Sequence, residues 1–160
     1  MTIAYAAAGL TLSVGMNLLS YTDLELHDIT LLLALHLGIF PLWFRTMWLA
    51  AQMVPGVKWW HRGLSFEELH PILADCPVWM KYMTYGVAIY SVPDMLLSIG
   101  ALIGKVPAFF LPIAQLLSAR SVDAHPALGL NLISRAFSGV AMAFYCIALS
   151  TAVAADQRQL

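Results

Sequence analysis

The sequence predicts an all-α, polytopic integral membrane protein: a bundle of about four transmembrane helices with a short interfacial helix and a re-entrant segment. Composition is the first reason. Of 160 residues, 61% are hydrophobic and only 11% charged, whereas a soluble domain carries roughly 25% charged residues because its surface must be solvated. The mean hydropathy is +0.78. Distribution is the second reason. Residues 1–22 and 136–155 contain no Asp, Glu, Lys, Arg or His, and about 20 apolar residues suffice to cross a hydrocarbon core near 30 Å thick. The chain reads as one transmembrane domain over residues 1–160.

Four spans follow in order: Thr2 to Tyr21, Ile29 to Val54, Pro77 to Ile103 and Gly129 to Ala154, divided by the stretches that cluster charge and turn residues. The first span resembles a secretory leader only in position. No Lys or Arg precedes its apolar run, and no small-x-small site ends it, so it is read as retained. The loop over residues 55–76 carries Lys58, His61, Arg62, Glu67, Glu68, His70 and Asp75, with Arg45 and Lys81 just inside the flanking helices. Positive charge gathers on the cytoplasmic side, which places this loop and both termini inside.

All five tryptophans, Trp43, Trp48, Trp59, Trp60 and Trp79, surround that loop, as indoles do at a headgroup boundary where the ring is dry and the N–H is wet. Arg45, Lys81, Trp48, Trp59 and Trp60 are therefore assigned to the interface, the two cations snorkelling to headgroups. Ser65-Phe66-Glu67-Glu68 has capping-box spacing, and the apolar residues up to Leu73 make residues 65–74 a short interfacial helix. Residues 106–119 are apolar but interrupted by Pro107 and Pro112, which fits a re-entrant or interfacial piece. A break at Ser91-Val92-Pro93-Asp94 would instead let residues 94–119 make a fifth crossing.

Ionisable groups inside a span are costly and commonly mark function. At ~1.5 Å of rise per residue, His36 lies about 10 Å and Asp94 about 13 Å from the outer ends of their helices, with Arg135 about 9 Å and Asn17 about 6 Å deep. Asn17, His36, Asp94 and Arg135 thus form one polar layer in the outer half. Helical spacing extends it: Tyr90, Ser91, Asp94 and Ser98 share one face, as do Asn131, Arg135, Ser138, Met142 and Tyr145, and Ser13, Asn17 and Ser20. Asp94 and Arg135 are expected to pair, with His36 and Asn17 as hydrogen-bonding neighbours. Two readings are open: a proton or substrate site, or a neutralised pair that fixes helix register. Arg45, nine residues from His36, lies on the opposite side of its helix.

No nucleophile elbow, phosphate loop or HExxH is present, and no catalytic residue is assigned. Glu67-x-x-His70 has di-iron spacing, but no second such motif accompanies it. No metal site and no cofactor are expected; haem or a metal is the minor alternative, within the single chain or more readily with ligands from a partner or symmetry mate. Cys76 and Cys146 read as reduced and structural. The net charge of -1 excludes a nucleic-acid partner on electrostatic grounds. Small-residue faces at Gly9-x-x-x-Ser13, Gly100-x-x-x-Gly104 and Gly139-x-x-x-Ala143 point to self-association or docking to another membrane protein within the lipid bilayer. The expected function is a non-catalytic membrane subunit, homo-oligomeric or accessory to a larger complex. An ion, proton or solute channel or transporter built on the polar layer is the alternative, and a redox or lipid-modifying membrane enzyme the third class.

Overall fold

A computed structural model describes residues 1–20, 29–54, 66–102 and 126–159. Among them the only regular structure is helical: α1 Thr2–Leu19, α2 Ile29–Met53, α3 Phe66–Leu73, α4 Val78–Leu102 and α5 Pro126–Gln157. Trp59, Trp60, the Ser65 cap and the 106–119 segment lie outside the described residues. Three helices are long and apolar enough to cross a membrane, Thr2–Leu19, Thr30–Met53 and Ser134–Gln157. Although 25 residues long, α4 is not one of them. Lys81, Thr84, Ser91, Asp94 and Ser98 dilute its hydropathy, and the last four of these are buried in the bundle.

Two boundaries differ from expectation. The last helix begins three residues early, at Pro126, where the fixed φ and missing N–H of proline suit the first turn. It then runs 32 residues, about 48 Å, ending in the polar Asp156-Gln157-Arg158 stretch. In α4 the chain stays helical through Pro93, so the break at residues 91–94 required for a fifth crossing is absent. Proline removes one backbone hydrogen bond, which a long packed helix tolerates.

Helix α5 is the hub. It packs most extensively on α4 and α1, then α2, and also touches α3, whereas α1 and α2 share only a minor contact. Two-thirds of its apolar window (67%) is buried against 22% in each of the α1 and α2 windows. Helix directions follow from paired residues. Gly9 meets Tyr145 whereas Asn17 meets Ser138, and Thr84 meets Ser150 whereas Asp94 meets Arg135, so α1 and α4 are antiparallel to α5. His36 stacks on Phe137, Trp43 on Phe144, and Leu49 clusters with Ala152, so α2 is parallel to it. Directions alternate along the chain, as consecutive crossings of one layer would.

The packing is inside-out. Leu33, Leu37, Phe40, Phe44 and Trp48 form an exposed stripe along α2, and Val78, Trp79, Tyr82, Ile89 and Val92 do the same on α4. Ser13, Asn17, Thr46, Thr84, Asp94, Ser138, Ser150 and Thr151 are buried. Several hydroxyls satisfy themselves by donating one turn back, Thr46 to Leu42 O, Thr84 to Met80 O and Thr151 to Ile147 O. At the end that holds both termini, Leu69 and Leu73 of α3 join the core beside Leu149 and Ala154. There the Arg158 guanidinium pairs with Asp75 and donates to Met53 O at 2.7 Å and Pro71 O at 3.4 Å. One side chain thereby ties α2, α3 and α5.

Close approach at Gly9 sets the α1–α5 spacing. A Cβ there would lie 2.1 Å from the Tyr145 ring. The Tyr145 hydroxyl passes on to donate to Leu35 O at 2.8 Å, and Tyr5 donates to Gly38 O at 3.1 Å, both in the turns just before Pro41. The small-residue faces at Gly9 and Gly139 are therefore occupied within the chain, which removes them as free self-association faces. Gly9→Ala should destabilise the folded protein by about 1–3 kcal/mol through overpacking. Gly15→Ala, where a Cβ meets nothing within 4 Å, should be neutral or gain up to about 1 kcal/mol of helix propensity. Unfolding of the detergent-solubilised protein measures both; equal effects would refute the packing assignment.

Candidate functional site

The polar cluster is assembled by three helices at one level. On α5, Arg135 and Ser138 are one turn apart and face α4 and α1. Arg135 Nε donates to Asp94 Oδ1 at 2.6 Å. The second carboxylate oxygen, Oδ2, accepts from Asn17 Nδ2 at 3.2 Å. Asn17 also donates to Arg135 O at 3.3 Å and Ser138 Oγ at 3.2 Å, and Ser138 in turn donates to Arg135 O at 3.1 Å. The Asp94 carboxylate and the Arg135 carbonyl only accept, which fixes the Asn17 amide with its nitrogen toward them, and the Tyr90 hydroxyl donates to Asn17 Oδ1 at 2.8 Å. Ser20 caps the group by donating to Asn17 O at 2.6 Å.

Burial makes this arrangement strong. Asp94, Asn17 and Arg135 are 2%, 3% and 8% exposed. A lone carboxylate or guanidinium there would carry most of its desolvation cost, whereas the pair cancels net charge and the amide satisfies the remaining lone pairs. Gly139 is the concealed requirement: a Cβ on it would sit 2.9 Å from Asp94 Oδ2. Only hydrogen at that position lets the carboxylate lie against the α5 backbone.

His36 is at the same level but does not join the cluster. Phe137, whose ring it meets edge-on with centroids 4.9 Å apart, is two residues from Arg135, about 200° around α5. The hydrogen-bonding role expected of His36 toward Asp94 and Arg135 is therefore not what the geometry provides. Its Nδ1 bonds Leu32 O at 2.9 Å. Of the residues assigned to the interface, Arg45 and Trp48 are exposed. Lys81 is half-buried and donates to Ala74 O at 2.6 Å.

A second polar knot lies nearer the termini. Thr84 Oγ1 and Ser150 Oγ are 2.6 Å apart, Cys146 Sγ donates to Thr84 at 3.6 Å, and Cys76 Sγ donates to Ser150 O at 3.0 Å. Burial pushes the Cys76 thiol up, with Lys81 acting against it. Both cysteines are free and buried. Ser138 falls on the Arg135 face read from spacing and Gly139 on a small-residue face, but the contact of Gly139 with Asp94 and the second knot escape sequence reasoning. Tyr90 is signalled by its spacing of four from Asp94, but small hydroxyl residues are too common in apolar helices to stand out.

Among the described residues no group of three His, Cys, Asp or Glu side chains could hold a metal ion. His70 of the Glu67-x-x-His70 motif is exposed. The chain matches no protein-family model, no curated protein and no solved structure. The cluster must be read from its own geometry. Chemically, it holds two opposite charges and an amide in mutual satisfaction, and it locks α1, α4 and α5 in register.

Asp94→Asn and Arg135→Gln should each destabilise the protein by about 3–5 kcal/mol, because each leaves the other charge buried and unbalanced. The double variant should cost clearly less than the two singles together. A double-mutant cycle on unfolding in detergent measures this; strict additivity would show that the two groups are not energetic partners.

Proposed function

We propose that this chain is a four-crossing integral membrane protein that serves as a non-catalytic subunit, either of a homo-oligomer or of a larger membrane complex. Helices α1, α2, α4 and α5 are the crossings. Although α4 is less apolar than the others, about 37 Å of helix is long enough, and its one acidic group is neutralised by Arg135. The 55–76 loop and both termini lie on the cytoplasmic side, where the cations of that loop favour them.

One observation carries this reading: the polar side chains of the cluster bond one another across α1, α4 and α5. Asn17 bonds across to both α4 and α5, and both oxygens of Asp94 are engaged. Polar contacts of this kind fix helix register in a membrane. The exposed apolar stripes on α2 and α4 supply the area that lipid or a neighbouring subunit covers. Gentle extraction followed by light scattering should give a protein mass of at least twice the 17.6 kDa monomer; a monodisperse monomer with no co-purifying partner would sink the proposal.

Transport is the second reading, favoured by a specific continuity. Asp94, Asn17 and Tyr90 form a hydrogen-bonded chain that reaches the surface at Tyr90, which is 38% exposed. Ser98, one turn after Asp94 on α4, and Ser134 carry two more buried hydroxyls with no hydrogen-bond partner among the described residues. In proteoliposomes with an internal pH dye, this reading predicts a proton leak that Asp94→Asn abolishes. No leak above that of empty vesicles would reject it.

A further inference from the structure

We infer that the outer half of α2, residues 29–40, is a hinged flap that swings about Pro41 and is held shut by the hydroxyls of Tyr5 and Tyr145. The two halves of α2 are anchored unequally. Between Thr30 and Phe40 only Leu35 is buried, and Leu33, Leu37 and Phe40 are exposed. Between Leu42 and Ala50, by contrast, Leu42, Thr46, Met47, Leu49 and Ala50 are all buried. Burial fixes the inner half to the bundle, and the outer half has few buried contacts to lose when it moves.

Pro41 stands at the join of the two halves. It has no N–H to donate to Leu37 O, and its ring crowds that carbonyl, so α2 bends most readily there. Two hydrogen bonds hold the free half. Tyr145 of α5 donates to Leu35 O at 2.8 Å, and Tyr5 of α1 donates to Gly38 O at 3.1 Å. Both donors converge on Gly38, where a Cβ would stand 2.7 Å from each hydroxyl oxygen. Hydrogen at that position is what lets two helices grip one turn of a third.

Other groups favour opening. Leu32 O can only accept, so the hydrogen on its 2.9 Å contact belongs to His36 Nδ1, and Nε2 of the neutral ring is a bare acceptor. It is enclosed on the flap with no hydrogen-bond partner among the described residues. Ser134 repeats the pattern on α5. It comes three residues before Phe137, which meets His36, and four before Ser138, which meets Asn17, so it lies on the face that α1 and α2 share. Its hydroxyl too is buried without a partner among the described residues. Enclosing such atoms is costly, and swinging the flap out opens the α1–α2 cleft and returns both to water. Two tyrosine hydrogen bonds oppose two unpaired atoms, effects of similar size. Both positions of the flap are therefore accessible, and the hydroxyls set the ratio between them.

Ser134→Cys puts a thiol behind the flap and so reports its opening. The full chain carrying that change, in lipid nanodiscs, is exposed to N-ethylmaleimide, and modification of each cysteine is followed by peptide mass. Cys76, which bonds Ser150 O, and Cys146, which faces Thr84 of α4, are both buried and serve as controls for general loosening. In that background Tyr5→Phe and Tyr145→Phe should each speed modification at position 134 about fivefold, the worth of one neutral hydrogen bond, and leave the two controls unchanged. His36→Phe keeps a ring against Phe137 but removes the unpaired acceptor, and should slow modification by a similar factor. Pro41→Ala restores the helix ladder and should slow it as well. A rate at position 134 indifferent to both tyrosines overturns the proposal. So does acceleration of all three cysteines together, because the hydroxyls would then hold the whole bundle and not the flap. A rate that Pro41→Ala leaves unchanged removes the hinge, and with it the flap.

Discussion

Electroneutrality in a dry interior is the constraint on which the rest of the bundle depends. Once Asp94 is placed at 2% exposure, the chain must supply a cation within contact distance and donors for the second carboxylate oxygen. Arg135 and Asn17 do this from two different helices. Their positions then fix how far α4 and α1 can slide along α5. The bond from Asn17 to the Arg135 carbonyl ties the amide to backbone as well as side chain, so the register is held by an element that no rotamer change can move.

Shape complements charge. Where the cluster needs close approach, α5 offers Gly139; where α5 itself is bulky, at Tyr145, the partners α1 and α2 offer Gly9 and Gly38. The two tyrosine hydroxyls that reach α2 end on backbone carbonyls in the turns before Pro41. Pro41 cannot donate to Leu37 O, and external donors reinforce the neighbouring turns of that weakened ladder. Polar atoms in this bundle thus cluster at two levels, separated by about 15 Å of helix between Thr84 and Asp94.

Much of this was legible in the sequence, for physical reasons that differ by element. Helix existence and length follow from hydropathy, because a span must be continuous and nearly uncharged; α1 and α2 end within two residues of expectation. The Asp94 and Arg135 pairing follows from cost, since two opposite charges at equal depth have few other ways to be tolerated. His36 shows where the reasoning stops. Equal depth does not mean equal azimuth, and hydropathy in an all-apolar helix carries almost no information on which side faces its neighbours. Gly139 was noticed as a small residue but assigned to a partner helix; its actual neighbour is a carboxylate, which spacing alone does not reveal.

The position of α5 has a consequence for how the protein is made. Every other described helix packs chiefly on the one that is synthesised after them all. Until α5 emerges, Asp94 lacks the Arg135 guanidinium and Asn17 lacks both its Ser138 and Arg135 acceptors. Before then the earlier helices are an unfinished set whose polar faces α5 does not yet cover. Arrival of the last helix quenches the charge, fills the glycine notches and closes the end latch at Arg158 in a single event. An Asp94 still without its Arg135 partner is what marks that set as incomplete.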